Sequence, residues 1–212
     1  MRVSTAIVIL AIYCLLALPA SAGTFFNDLG TGSTVYQCCQ GFDVFGSPNQ
    51  GQSIEPANLF TSGLTGSISE IQFALGYANG LNDSVTAMLM TDNGGVPGTV
   101  LGSWAVSSTE LFGFCCNLVD ITGITGINLV AGQQYFFVLN PAVLTDDAWN
   151  LNSTGATGVT LDSSDGGQTW HSSFTTTLGA LAVYGAATSV PEPGSLFLLA
   201  GGAVLVWRRL RG

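Results

Sequence analysis

Lysine is missing from this chain altogether, and arginine is missing from nearly all of it. The four basic residues are Arg2, Arg208, Arg209 and Arg211, so residues 23–190 hold neither lysine nor arginine. The one histidine is His171. Twelve of the thirteen acidic residues lie in that same stretch, Glu192 being the other. A surface of one sign repels nucleic acid and anionic lipid. Without ammonium or guanidinium groups it has no such cation to clamp a phosphate, a carboxylate or a developing oxyanion. These absences exclude nucleic acid as a partner and remove much of enzymology. They suit an acidic extracellular body kept soluble by its charge.

Residues 23–190 also lack any long 3.6-residue period and any internal repeat. Alternation takes their place. Ile71, Phe73, Leu75 and Tyr77 alternate with Gln72, Ala74 and Gly76. Val85, Ala87 and Leu89 do the same, as do Tyr135, Phe137 and Leu139, and Leu181–Tyr184 forms a last apolar run. Period-2 patterns bounded by Gly, Asn and Asp clusters signal half-buried strands. The turns fall at Ala78-Asn79-Gly80, Thr91–Gly95, Val130-Ala131-Gly132 and Ser163–Gly167. The pattern predicts an all-β fold: a single antiparallel β-sandwich, jelly-roll-like. The length suits one domain with its own core.

Long apolar runs occur only at the two ends. Arg2 precedes Val3–Leu18, and Pro19-Ala20-Ser21-Ala22 closes the run. Ala20 and Ala22 form an A-x-A site, which predicts a signal peptide cut by signal peptidase after Ala22. Tyr13 stands before Cys14 where a lipoprotein signal needs a small residue, so Cys14 belongs to the discarded segment. At the other end Pro191, Glu192 and Pro193 form a stiff, extended stretch. Ser195–Trp207 is apolar all round, and Arg208, Arg209 and Arg211 follow. The run is short for a full span, but the terminal Trp and Arg suit a cytoplasmic membrane face. Snorkelling Arg stems make up length. The predicted organisation is a signal peptide at 1–22, a β-sandwich at 23–185 and a linker with the Pro-Glu-Pro triplet at 186–193. A transmembrane sorting helix at 194–207 and a basic cytoplasmic tail at 208–212 complete it.

The order Pro-Glu-Pro, short apolar helix, terminal Arg cluster resembles the PEP-CTERM sorting signal of bacterial exosortase substrates. The resemblance implies transient insertion in the inner membrane, then cleavage by exosortase near Pro191-Glu192-Pro193 and delivery to the cell surface or exterior. Three further stretches are Thr91–Gly98, Leu129–Leu139 and Asp165–Trp170. Through them residues 60–184 resemble the choice-of-anchor β-sandwich domains of bacterial surface proteins, most nearly the type labelled R. That resemblance implies a fold and a location, not an activity.

Ser163–Trp170 fits S-x-D-x-G-x-T-W, the pattern of an Asp-box. An Asp that accepts from nearby amides, glycines at positive φ and an anchoring Trp make a hairpin turn. One copy falls short of a propeller. His171 follows it and, with no nameable nucleophile or orienting acid, is a surface or turn residue. Cys38-Cys39 and Cys115-Cys116 are disulfide candidates, since export exposes them to oxidation. Two cross-links between the pairs are expected: Cys38–Cys116 with Cys39–Cys115, or the other crossed pairing. Each closes a long loop and contributes about 4 kcal/mol. The pairs lack the C-x₂-C spacing of zinc ligands, so no metal site is predicted there. Asp92-Asn93, Asp146-Asp147 and Asp162 with Asp165 sit in turns where sandwich domains bind calcium, but they define no ligand set. Asn82-Asp83-Ser84 and Asn152-Ser153-Thr154 fit the N-glycosylation sequon.

The expected function is that of an exported surface or extracellular-matrix protein processed by exosortase. It is structural or adhesive, associated with exopolysaccharide and biofilm, and neither an enzyme nor the holder of a cofactor. One alternative is a secreted carbohydrate-binding module, with Trp104, Trp149 or Trp170 stacking on sugar rings. Another is a secreted glycoside hydrolase using a pair drawn from Asp146, Asp147, Asp162 and Asp165. Exposed tryptophans on one face favour the module; buried ones count against it.

Overall fold

The computed structural model describes residues 22–47, 53–78, 84–108 and 110–188. Among them there is no helix, and so none long and apolar enough to cross a membrane. The predicted signal peptide before Ala22, including Ala20, and the sorting segment from Val190 onward lie outside the described residues. So do the triplet Pro191-Glu192-Pro193, the cluster Arg208, Arg209 and Arg211, and the sequon asparagine Asn82.

Residues Ala22–Ala187 form one compact unit of fifteen strands. The first five are β1 (Ala22–Asn27), β2 (Tyr36–Phe45), β3 (Glu55–Thr61), β4 (Gly66–Phe73) and β5 (Leu75–Tyr77). Then come β6 (Ser84–Asp92), β7 (Pro97–Ser107), β8 (Glu110–Leu111), β9 (Val119–Thr122) and β10 (Asn128–Leu129). The last are β11 (Gln134–Pro141), β12 (Asp146–Asn152), β13 (Thr157–Ser163), β14 (His171–Thr177) and β15 (Leu181–Ala187). They make three sheets. The first runs β1-β15-β4-β10, with β9 also on β4; the second runs β14-β13-β3-β11-β6-β7; the third runs β2-β12-β5-β8. Every pairing is antiparallel except β5 with β8.

The prediction of an antiparallel, sandwich-like all-β fold holds, with the strands divided among three sheets. The cause is visible at Ala74. The alternating run Ile71–Tyr77 reads as one strand, yet it is two, β4 and β5, in different sheets. Ala74 is fully buried, its amide donates to Ala180 O, and its carbonyl accepts from the Asn150 amide. Those partners pull the chain out of one ladder and into the next. The predicted linker is also shorter at its start, because Ala186 and Ala187 end β15, with Ala186 paired on both sides.

Ile68 and Ile71 both point into the core although they are three positions apart. Tyr184 pairs with Glu70 while the next residue, Gly185, pairs with Ile68, so Ser69 is the extra residue of a bulge. The core joins the layers through aromatic rings. Phe73 of β4 meets Phe137 of β11 at 5.1 Å, and Phe26 of β1 meets Phe60 of β3 at 5.1 Å. Trp149 of β12 meets Phe137 at 5.6 Å. Burying one such side chain contributes roughly 1.5–3 kcal/mol.

The second sheet is apolar on its other face as well. There Ala57, Phe136, Val138 and Leu161 are buried, with Leu59, Met88, Met90 and Trp170 packed on them. This explains the unbroken apolar run Tyr135–Leu139: a strand buried on both faces has no polar side to alternate with.

Candidate functional site

The β13–β14 hairpin carries the Asp-box. Ser163 ends β13, the chain turns through Gly166 and Gly167 at φ 76° and 77°, and His171 starts β14. Asp165 closes the turn. Its Oδ1 accepts from the Thr169 amide at 2.9 Å, the Gln168 amide at 3.0 Å and the Ser163 hydroxyl at 2.9 Å. The Thr169 hydroxyl donates to Oδ2, and Ser163 Oγ accepts the Gly167 amide at 2.9 Å. The Thr169 hydroxyl and amide, with the Ser163 hydroxyl and the Gln168 amide, hold the Asp165 carboxyl down at about 2. Trp170 packs on the outer apolar cluster, and a Cβ at Gly167 would crowd its ring.

The turn stands beside a second carboxylate that sequence reasoning missed. Glu55 opens β3, opposite Ser163, and is only 2% exposed. Burial, reinforced by the charge of Asp165, raises its carboxyl above the usual range, while the Gly166 amide and the Ser53 hydroxyl oppose the rise. Asn140 of β11 donates from Nδ2 to Glu55 Oε2 at 3.5 Å, a slack hydrogen bond. The Ser53 hydroxyl donates to Ser164 O at 3.1 Å.

These groups line a pocket of about 390 Å³. Glu55 and Asn140 contribute from the sheet, Ser164–Gly166 and Gln168 from the hairpin, and Pro141–Val143 from the β11–β12 connection. Glu55 leaves a faint trace in the sequence: an acidic residue directly before the mostly apolar stretch Pro56–Phe60. Nothing local ties it to Asp165, 110 positions later.

The four aspartates named for a hydrolase fall into two separate groups. Asp146 and Asp147 lie on β12 in the third sheet, whereas Asp162 and Asp165 belong to the hairpin of the second. Asp147 is 3% exposed and accepts from the Ser108 hydroxyl at 3.4 Å. Asp165 spends its oxygens on the turn. Asp92 does likewise between β6 and β7, where its Oδ1 accepts the Gly95 amide at 2.7 Å. Among the described residues no three His, Cys, Asp or Glu side chains converge as metal ligands. His171 is exposed and lies opposite Asp162.

The tryptophan platform is also corrected. Trp149 is fully buried, donates from Nε1 to Ala180 O at 3.1 Å and packs edge-on against Phe42 and Phe137. It cannot stack on a sugar. Trp104 is half-buried on the main core and Trp170 on the outer cluster, so these two pack on different clusters. The sequon asparagine Asn152 is buried too, its Nδ2 donating to Ala156 O and Leu178 O, each at 2.8 Å.

The two cysteine pairs meet, but the predicted cross-links do not form. Cys115 and Cys116 are bonded to each other, while Cys38 and Cys39 are thiols with sulfurs 3.4 Å apart. Hydrogen bonds tie the loop to β2 instead. The Gly113 amide donates to Cys38 O at 2.8 Å, and the Tyr36 hydroxyl donates to Glu110 Oε2 and Asn117 O, both at 3.3 Å. Burial and the Glu110 carboxylate push Tyr36 up to about 12. The hydrogen bond shared with Cys38 raises the exposed Cys39 thiol.

Comparison with known families decides what the pocket does not. A family model described as the PEP-CTERM protein-sorting motif matches residues 189–211. The chain carries a PEP-CTERM sorting motif. The match spans the Pro-Glu-Pro triplet, the apolar run and the terminal arginines, and it does not extend to residues 60–184. No curated protein and no solved structure matches the chain significantly. The PEP-CTERM motif implies exosortase as the processing partner and export through the membrane to the cell surface.

Proposed function

We propose that this protein is a structural or adhesive component of the bacterial surface or extracellular matrix, associated with exopolysaccharide and biofilm. The PEP-CTERM motif at 189–211 carries the proposal. Signal peptidase removes residues 1–22, exosortase acts near Pro191-Glu192-Pro193, and the all-β unit is left outside the cell. The acidic stretch 23–190, with no lysine or arginine, supports a body that does not stick to anionic lipid. No catalytic role is assigned to it.

The intact mass of the protein recovered outside the cell tests this. The expected species begins at Gly23 and ends near Val190. Reduction then adds two hydrogens for the Cys115–Cys116 bridge, and four if both cysteine pairs are oxidised. A mass that still contains residues 195–212 overturns the proposal, because the tail is then a permanent anchor.

A further inference from the structure

We propose that the pocket between the Asp-box hairpin and the β11–β12 connection binds an uncharged sugar residue. The inference deepens the matrix proposal by naming the site that would meet polysaccharide. Its volume of about 390 Å³ is that of a small-molecule site. Its polar groups are those that read hydroxyls. Glu55 accepts, Asn140 and Gln168 offer amides that both donate and accept, and Ser53 and Ser164 add hydroxyls. Beside them Pro141, Ala142 and Val143 form an apolar shelf, with Val143 61% exposed. Alternating donors and acceptors beside an apolar shelf suit a pyranose, which has a polar rim and apolar C–H faces.

The sign of the charge narrows the ligand further. No cation lines the pocket, and residues 23–190 hold no lysine or arginine to supply one. A uronic acid or a phosphosugar would meet Glu55 and Asp165 unpaired. A metal ion finds two carboxylates at most, and those of Asp165 are filled by the turn. The slack 3.5 Å contact between Asn140 and Glu55 leaves both groups with hydrogen-bonding capacity that a sugar hydroxyl beside them can use.

Titration of the exported protein with glucose, galactose, mannose and rhamnose, and with glucuronic acid as the anionic counterpart, tests the site. At least one neutral sugar should bind saturably, and glucuronic acid about tenfold more weakly or worse. Ala142→Trp plugs the pocket from an exposed turn and should abolish binding without lowering the melting temperature. Gln168→Ala, also exposed, should weaken binding about tenfold while the fold is kept. Saturable binding of no neutral sugar overturns the assignment, as does equal binding of glucuronic acid or full binding by the plugged variant. Retention on the cells' own exopolysaccharide separates the two proposals. Equal retention of the wild type and Ala142→Trp sinks the pocket and leaves the matrix role standing. Neutral-sugar binding lost in Ala142→Trp, with no retention of the wild type, supports the pocket and sinks the matrix role.

Discussion

Asp28 sits 3% exposed at the end of β1, and burial pushes its carboxyl up to about 7 although the Leu181 amide donates to its Oδ1 at 2.7 Å. Its Oδ2 and the buried Nδ2 of Asn58 find no hydrogen-bond partner among the described residues. A carboxyl whose affinity for protons is higher in the folded state stabilises the protein at low pH. That contribution falls as pH rises from about 4 to about 7, and is then spent. Raising pH from 5 to 8 should therefore cost roughly 2–3 kcal/mol at this residue alone. Urea midpoints at the two pH values check this in wild type and in Asp28→Asn. The asparagine keeps an acceptor for the Leu181 amide and has no proton to lose. Its midpoint should fall much less, and an identical fall in both proteins removes Asp28 as the cause. Glu55 is raised as well, so part of the slope remains in the variant.

At the scale of elements, β15 is the strand least tolerant of change. It lies between β1 and β4, and Leu181, Ala182 and Val183 are buried in succession. Gly185 stands at the register shift opposite the Ser69 bulge, where a Cβ would collide with the backbone of Ser67. Gly185→Ala should cost about 3 kcal/mol, because a backbone neighbour cannot swing aside as a side chain does. Thermal unfolding of the variant measures it, and a loss within 0.5 kcal/mol, the range of an ordinary surface substitution, contradicts the crowding. Strands of this kind were legible in the sequence. The runs at 85–89, 135–139 and 181–184 all lie in strands, and the Asp92 and Asp165 turns are held by the acceptors that their residue types announce. Long-range partnership was not legible. Ala74 looks like any small residue in an alternating run, and only Ala180 and Asn150, brought from far along the chain, turn it into a boundary between sheets. The same holds for Glu55 beside Asp165, for Trp149 sunk in the core, and for cysteine pairs that meet without cross-linking.

At the scale of the whole molecule, the distribution of arginine makes processing visible with one reagent. All four basic residues lie outside 23–190, so removal of both ends leaves no site for trypsin. The mature protein should keep its full mass after heating, reduction and prolonged tryptic digestion. An uncleaved chain should instead be trimmed at Arg208, Arg209 and Arg211, with a shift in mass that reports the residual tail. The way the strands begin and end has a consequence of another kind. β1 and β15 are antiparallel neighbours, and Ala22 lies directly opposite Ala186. The compact unit therefore receives the chain and releases it at the same corner.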